Sequence, residues 1–369
     1  MDDTTGGKRR SFYGWGFEED TVSAEELGWF EKTWSHLFKV DRFDPAPMPL
    51  ESEVSIRASR VAIPSTLRAF CSDDRYERLF HTWGRSVHDI AKMIHRRDFT
   101  NPPDVVAFPR NEVEVAAVLD WCGSNGYAAV PFGGGSSVTG GVNHTKDERY
   151  KGLVTIDLKH LNKVLEVDKT SQAARIQAGV LGPDMEKQLR STGLTMRFFL
   201  QAWEFSTLGG WIATRAAGHY ATNYTQIDDH VESLRVVTPS GTIASHRWPT
   251  SGAGPNPDRL FLGSEGALGI ITEAWVRLHK KPTYRSATTV RFGDYEKAVN
   301  ATRVVSQAGL FPANARLLER DEALFTEAGD GTKDVLVLTF ESGDHPVEPW
   351  MNRALEICAD FGGEWDKDA

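Results

Sequence analysis

The most informative stretch of this chain reads PFGGGSS, residues 131–137, and it follows an apolar run, Tyr127–Pro131, that predicts a β-strand. Consecutive glycines permit positive backbone φ angles and let a ligand approach the main chain closely. The N–H groups of such a loop can converge on an anion, and the two serine hydroxyls add donors. A flexible surface loop is the alternative. The position at the end of a strand favours a phosphate-binding loop.

The glycine spacing excludes the two commonest nucleotide-binding loops. Gly135 and Gly140 have GxxxxG spacing, but Gly141-Val142 stands where a P-loop needs Lys followed by Ser or Thr. The GxGxxG pattern of nicotinamide-binding domains fails as well, because counting from Gly133 places Val138 at its last glycine. A P-loop kinase and a nicotinamide-binding Rossmann domain are therefore disfavoured.

Two further motifs contain glycines. EFSTLGGWIATR, residues 204–215, places Ser206 or Thr207 where it can cap a helix whose free N–H groups would face an anion. GSEGALGIITE, residues 263–273, has three glycines in seven residues before a β-branched run, which predicts a cleft wall lined by backbone. An ordinary capped helix with glycines for packing is the alternative for the first motif, and a simple turn for the second.

The predicted elements indicate an α+β fold class. A capping-box pattern at Ser23–Glu26 opens one helix near the N-terminus, and a second helix, interrupted at Gly84, is expected from about Asp74 to Arg97. Strands and helices alternate from residue 104 onward. After residue 284 the order is β-α-β-β-α, and a ferredoxin-like unit needs one more strand to close its sheet. The sequence is therefore expected to be a truncated form.

Composition limits the function classes. The formal net charge of −9 and the absence of a basic stripe disfavour a nucleic-acid partner. No run approaches the roughly 20 apolar residues that span a bilayer, and the polar start, Met1-Asp2-Asp3, predicts a cytoplasmic protein. Three scattered cysteines argue against a disulfide framework. The 11 histidines form no HExxH spacing, so we expect no metal.

The three glycine motifs, in this order, carry a resemblance. The chain resembles the FAD-binding domain of the vanillyl-alcohol oxidase and p-cresol methylhydroxylase superfamily of FAD-linked oxidases. Within it, EFSTLGGWIATR indicates the branch of alkyldihydroxyacetonephosphate synthase and its bacterial relatives. The resemblance implies a two-lobed FAD-binding domain over residues 101–282, with lobes of about 101–165 and 166–282. An N-terminal helical region, 1–100, would precede it, and an incomplete cap domain, 283–369, would follow.

The resemblance also implies non-covalently bound FAD and a set of residues that contact it. These are Pro131, Phe132, Gly133, Gly134, Gly135, Ser136, Ser137, Gln201, Ala202, Trp203, Glu204, Phe205, Ser206, Thr207, Thr214, Arg215, Ala216, Ala217, Glu265, Gly266, Ala267, Leu268, Gly269, Ile270 and Ile271.

Three other positions bear on the chemistry. Arg316 matches an arginine that the family places near flavin and substrate, so it is the candidate catalytic residue, with a salt-bridged strand residue as the alternative. For His219 we expect a surface or hydrogen-bonded role, because the synthase branch binds its flavin without a covalent link. The segment 196–201 departs from the family pattern, which lacks this Phe-Phe-Leu run and carries Gly-His and a proline.

The implied reaction exchanges the acyl chain of acyl-dihydroxyacetone phosphate for a fatty alcohol, a step of ether-lipid synthesis. The alternative is an FAD-linked oxidase or dehydrogenase of a hydroxy acid or alcohol. A second alternative is a truncated, non-catalytic flavin-binding remnant, because the tyrosine and histidine cluster of the family fall beyond the last residue. The expected partners are a small or lipid-like substrate, which could bring the protein to a membrane surface, and a second copy of the chain in a homodimer.

Overall fold

The computed structural model describes residues 8–41, 43, 46–144, 147–248 and 252–366. The polar start at residues 1–3 lies outside the described residues. Within them, the strands form three larger sheets and one two-strand ladder, and helices accompany each larger sheet. This mixture confirms the α+β class.

The first part of the chain builds a sheet of strand order β1-β2-β4-β3, in which β2, β4 and β3 are parallel. Its elements are α1 (Ala24–Phe38), β1 (Cys71–Ser72), α2 (Arg75–Phe80), α3 (Val87–His95), β2 (Val105–Ala107), α4 (Glu112–Asn125), β3 (Tyr127–Phe132) and β4 (Gly152–Asp157). The capping box is confirmed, since Glu26 N donates to Ser23 Oγ at 3.1 Å and Ser23 N donates to Glu26 Oε2 at 2.8 Å. The glycine loop begins where β3 ends.

The helix expected from about Asp74 to Arg97, with an interruption at Gly84, is confirmed as two helices, α2 and α3, with a break between them. Gly84 lies in this break, and its N–H donates to Asn143 Oδ1 at 2.7 Å. A Cβ at Gly84 would come within 3.0 Å of the Ser137 carbonyl oxygen. The helix is interrupted where the chain passes against the glycine loop.

The middle part builds an antiparallel sheet of order β5-β6-β10-β8-β9, and β7 pairs with β11 beside it. Its elements are β5 (Val164–Asp168), β6 (Ala173–Gln177), α5 (Gly182–Leu189), β7 (Leu194–Thr195), α6 (Leu208–Thr214), α7 (Ala221–Tyr224), α8 (Ile227–His230), β8 (Val231–Thr238), β9 (Gly241–Ala244), α9 (Asp258–Phe261), β10 (Ile270–Arg277) and β11 (His279–Lys280).

The last part builds an antiparallel sheet of order β12-β14-β13. Its elements are β12 (Tyr284–Phe292), α10 (Tyr295–Gln307), β13 (Asn314–Leu318), α11 (Arg320–Phe325), β14 (Asp334–Ser342) and α12 (Glu348–Asp360). The predicted order β-α-β-β-α is confirmed, with the short α11 added before β14. Past α12, Glu364 pairs with Arg291 on the outer edge of β12 through two backbone hydrogen bonds of 2.7 and 2.9 Å.

One hydrophobic core joins the first two sheets. It contains Val105 and Ile156 from the first sheet, Ile176 and Ala274 from the second, and also Val61 from the N-terminal region. Residues before position 100 therefore share the core of the part that follows them. A separate cluster fills the space between the third sheet and the helices α10 and α12.

Asp104 ties the N-terminal segment to the first sheet. Its fully buried carboxylate accepts hydrogen bonds from Arg60 Nη2 at 2.7 Å and from Leu153 N at 2.9 Å, and it pairs with Arg57. Burial acts to raise the pKa of this carboxyl, but the hydrogen bonds from Arg60 and Arg57 outweigh it and lower the pKa to about 2.

We expect Asp104→Asn to lower the free energy of unfolding by about 3 kcal/mol, because it leaves a buried ion pair broken. Since the pKa of Asp104 is lowered on folding, its contribution is present above about pH 4 and is lost as the pH falls towards 2. Chemical denaturation of the wild type and the variant between pH 2 and pH 7 measures both effects. The control is Asp147→Asn, which removes a carboxylate whose pair with Arg149 lies at the surface. Equal losses in the two variants would contradict the prediction.

Candidate functional site

A cavity of about 1260 Å³ opens beside the glycine loop. Its wall combines residues 131–142, residues 199–219 and the segment 265–271, and Arg316 reaches it from β13. The volume exceeds the roughly 300–1,000 Å³ of most small-molecule sites, so it suits a long ligand. The three motifs that the sequence singled out thus lie around one cavity.

The glycines of the first motif are required by close packing. A Cβ on Gly134 would overlap the carbonyl oxygen of Phe205, and one on Gly133 would overlap the Thr207 hydroxyl. Gly135 has a φ of 73°, and a Cβ there would lie 2.6 Å from the ring of Phe132. Only glycine lets the loop lie directly against the backbone of the second motif.

The loop offers unpaired backbone donors. Among the described residues, no acceptor meets the N–H groups of residues 133–137. The Ser137 hydroxyl is used within the loop, where it accepts from Gly141 N at 3.1 Å. A run of free N–H groups around a residue with positive φ forms a concave anion site. The phosphate-binding interpretation of this loop fits the geometry.

The second motif has a different role from the one expected of it. Thr207 caps α6, accepting from Gly210 N at 3.3 Å, but the other N–H groups at this end are already bonded. Leu208 N donates to Val180 O at 3.1 Å and Gly209 N to Ala178 O at 2.7 Å. The expectation of free N–H groups is therefore wrong. Thr207 caps a helix and Gly209 packs closely on Ala178, as in the alternative interpretation, while the motif also lines the cavity.

The third motif closes the opposite side of the cavity. Glu265 N donates to Ala213 O at 2.9 Å, and Glu265 Oε2 accepts from Thr139 Oγ1 at 2.7 Å. Gly266 has a φ of 82°, and a Cβ there would overlap the ring of Pro131. The predicted wall of glycine-rich backbone is confirmed.

Most of the residues named from the sequence line this cavity, and three do not. Arg215, in a left-handed conformation with a φ of 52°, pairs with Asp228 instead. Ala267 and Leu268 lie outside the wall, and the Leu268 side chain is half exposed. Cofactor contact by the other predicted residues stays a prediction.

Sequence reasoning missed part of the wall. The wall also contains residues that were not predicted to contact the cofactor, although His219 and the segment 196–201 had been singled out. These residues are Trp15, Thr139, Phe199, Leu200 and His219. Trp15 comes from an N-terminal hairpin more than 100 residues from the loop, and no local pattern marks it. The pair Gly140-Gly141 was a usable signal for the adjoining wall, because glycines again mark close approach.

Arg316 and His219 stand on the same wall. Arg316 Nη2 donates to Glu322 Oε1 at 3.1 Å at the surface, so the salt-bridge alternative holds while the residue also faces the cavity. The backbone N–H of His219 donates to Phe199 O at 2.6 Å. Burial, and after it the charge of Arg316, lowers the pKa of His219. The neutral imidazole is thereby favoured near this end of the cavity.

Part of the unusual segment 196–201 lines the cavity, and part of it contacts the last sheet. Phe199, Leu200 and Gln201 line the cavity. Arg197, with a φ of 55°, turns away and donates through Nε to Glu341 Oε1 at 2.6 Å. Glu341 is buried at the end of β14, so this pair joins the last sheet to the cavity wall.

The residues present fit FAD. The free N–H groups at 133–137 suit a pyrophosphate, and the volume of the cavity, about 1260 Å³, suits the rest of the molecule. The sequence pattern described as "FAD binding domain" matches residues 103–246. Alkyldihydroxyacetonephosphate synthase of Dictyostelium discoideum is 35% identical over 71% of this chain and 42% of its own length.

Residues 103–246 form an FAD-binding domain, and the chain is related to alkyldihydroxyacetonephosphate synthases and to FAD-linked oxidases. The glycolate oxidase subunit GlcD of Bacillus subtilis is 31% identical over 77% of this chain and 63% of its own length. A solved structure of alkyldihydroxyacetonephosphate synthase superposes with a TM-score of 0.84 at 26% identity, covering 96% of this chain and 74% of that one. The fold is therefore the FAD-binding fold of the p-cresol methylhydroxylase type, and the cofactor is FAD. The chain spans less than half the length of the curated synthases that it matches.

We expect Gly134→Ala to weaken FAD binding, because the new methyl group must displace the Phe205 carbonyl or the loop. Overpacking of this kind costs about 1–3 kcal/mol, and about 2 kcal/mol corresponds to roughly 30-fold weaker binding. Titration of flavin-free protein with FAD, followed by flavin fluorescence, measures it. The matched control is Gly123→Ala on α4, where a Cβ meets no atom within 4 Å. Unchanged affinity in Gly134→Ala would mean that the loop is not the cofactor site.

Proposed function

We propose that this chain carries the FAD-binding part of an enzyme of the alkyldihydroxyacetonephosphate synthase type, which exchanges an acyl chain for a fatty alcohol on acyl-dihydroxyacetone phosphate. The observation that carries the proposal is the position of Arg316. Arg316 lies on β13 of the last sheet and reaches the same cavity that the FAD-binding loops form. Relatives named as synthases at 33–35% identity support it.

Bound FAD supplies a ring that takes up and returns electrons, and this chain supplies binding and orientation. In our proposal the N–H groups of the glycine loop hold the pyrophosphate, and the apolar side chains of Phe199 and Leu200 exclude water beside the ring. The guanidinium of Arg316 holds negative charge on the substrate, and its planar donor geometry suits a phosphate. His219, neutral for the reasons given, can accept or return a proton through its ring nitrogen.

An FAD-linked dehydrogenase or oxidase of a hydroxy acid is the second candidate. The segment 196–201 favours it, because Phe199 and Leu200 present an apolar wall where the synthase branch carries Gly-His and a proline. Relatives named as D-lactate dehydrogenase and glycolate oxidase, at 30–32% identity, belong to the same superfamily.

We further propose the division into a helical region 1–100, an FAD-binding domain 101–282 and a cap 283–369, a homodimeric assembly and a cytoplasmic location. A lipid-like substrate would bring the protein to a membrane surface from there. No helix among the described residues is long and apolar enough to cross a bilayer.

We expect the purified chain to show the visible absorbance of a flavin, and acid precipitation to leave the chromophore in the supernatant. The reason is that the cavity wall holds few side chains of the types that link covalently to flavin. Among its described residues no cysteine occurs, and His219 is the histidine present. Chromophore that stays with the precipitated protein would show a covalent link and contradict non-covalent binding.

We expect acyl-to-alkyl exchange by the FAD-loaded protein, with Arg316→Met lowering the rate roughly 100-fold through loss of one charged donor. The control is Arg303→Met, an exposed arginine of α10 that bonds Gln307 at 2.9 Å. Product formation from acyl-dihydroxyacetone phosphate and a labelled fatty alcohol is the measurement. Reduction of an electron acceptor by hydroxy acids, without exchange, would instead establish the second candidate.

A further inference from the structure

Residues 8–20 form a hairpin that adds to the wall of the FAD cavity. Arg10 and Phe17 pair across it, and Ser11 N donates to Gly16 O at 3.1 Å. Trp15 lines the cavity, and its ring lies 6.0 Å from that of Phe205. The ring of Phe17 lies 6.0 Å from the same side chain. The hairpin therefore packs on the second motif at Phe205.

The hairpin is fixed from behind. Phe12 is buried in a cluster with Phe99 and Phe80. The buried Arg85 donates through Nε to Gly14 O at 2.9 Å and through Nη2 to Ser11 O at 3.2 Å. In the described part of the chain, this guanidinium donates to backbone carbonyl oxygens and to no carboxylate. These contacts fix the backbone beside Arg10, the residue that precedes Ser11 in the chain.

Arg10 is a partly buried cation without a counter-ion among the described residues. Its guanidinium carbon lies 4.2 Å from the ring centre of Phe205 and 5.6 Å from that of Phe80. Its Nε and Nη2 atoms are buried and meet no hydrogen-bond acceptor in the described structure. Burial lowers the pKa of Arg10, and Arg10 in turn helps to lower the pKa of Arg85 to about 9, after the larger effect of burial.

The carboxylates in the neighbourhood are committed to other partners. Asp157, at the end of β4, binds His81 Nε2 at 3.0 Å and Lys159 N at 2.9 Å. Glu18, across the hairpin, lies 3.6 Å from Nε of Arg9. An uncompensated guanidinium beside a second buried guanidinium is costly, and a bound anion relieves that cost.

The cavity provides the place for such an anion. Phe205 contacts Arg10 through its ring and meets Gly134 through its carbonyl oxygen, so one residue separates the guanidinium from the glycine loop. The loop itself carries neither lysine nor arginine, and the N–H groups at the start of α6 are already bonded. The pyrophosphate of FAD brings two negative charges to this loop.

We propose that Arg10 is the cation that compensates the pyrophosphate of FAD, acting across Phe205, and that Arg10 and Trp15 of the hairpin belong to the cofactor site. The inference rests on FAD binding and is independent of the reaction. Two opposite charges that are separated by one side chain and partly screened raise the affinity roughly tenfold.

The test compares two flavins. Flavin-free wild type, Arg10→Met and Arg10→Lys are each titrated with FAD and with riboflavin, which has no phosphate, and followed by flavin fluorescence. We expect Arg10→Met to bind FAD roughly tenfold more weakly with riboflavin affinity unchanged, and Arg10→Lys to retain most of the preference for FAD. An equal loss for both flavins, or no loss for FAD, would overturn the proposal.

Two controls make the outcome of the titrations interpretable. Arg9→Met removes the neighbouring, half-exposed arginine, which lies over Tyr76 at 3.6 Å, and should leave the ratio of FAD to riboflavin affinity unchanged. Thermal denaturation of each variant shows whether it folds, and if Arg10→Met does not fold, Arg10→Gln replaces it with the same expectation. A wild type that binds neither flavin would count against the cofactor and the proposed function, whereas FAD binding that is indifferent to Arg10 would count against this inference alone.

Discussion

The site depends on two stretches of backbone packed so closely that no side chain fits between them. The glycine loop lies against residues 205–207, and the Phe205 carbonyl occupies the space where Gly134 would otherwise carry a Cβ. On the far side, Gly266 lies as closely against Pro131. Three separate segments meet here, and the N–H groups of residues 133–137, which line the cavity, meet no acceptor among the described residues. Preorganised donors of this kind bind an anion without first paying to order a loop.

Close packing also decides which charges are available. The start of α6 is used to join the second motif to Val180 and Ala178, so its N–H groups serve the scaffold. Negative charge in the cavity is then met by the loop N–H groups at one end and by Arg316 at the other. The cations Arg10 and Arg85 lie behind the wall, stacked on Phe80 and free of carboxylate partners in the described structure. A site in an acidic protein can bind an anionic cofactor in this way, since local geometry outweighs the net charge of −9.

The parts of the fold that follow from local chemistry could be predicted, and the parts made by distant pairs could not. Glycine runs, caps and strand patterns depend on neighbouring residues, so the loop, the capping box at Ser23, the interruption at Gly84 and the order of elements in the last part were correct. The contact that Gly84 makes could not be predicted, because its partner, Ser137, lies 53 positions away. The free N–H groups expected at α6 were wrong for the same reason, since Leu208 N bonds Val180 O of an earlier turn.

The same distinction separates cofactor binding from substrate choice in this molecule. The cofactor half of the cavity is lined by backbone that glycines permit, and it can be identified from sequence in a chain of any specificity. The other half is built from side chains that long-range pairs position: Phe199 and Leu200 follow Arg197, which the buried Glu341 of β14 holds, and Arg316 stands on the neighbouring strand. A change in the last sheet therefore moves the wall at residues 197–201 and Arg316 together. Substrate preference in this chain should follow that coupling, because the glycine loop can remain unchanged while the opposite wall is rebuilt.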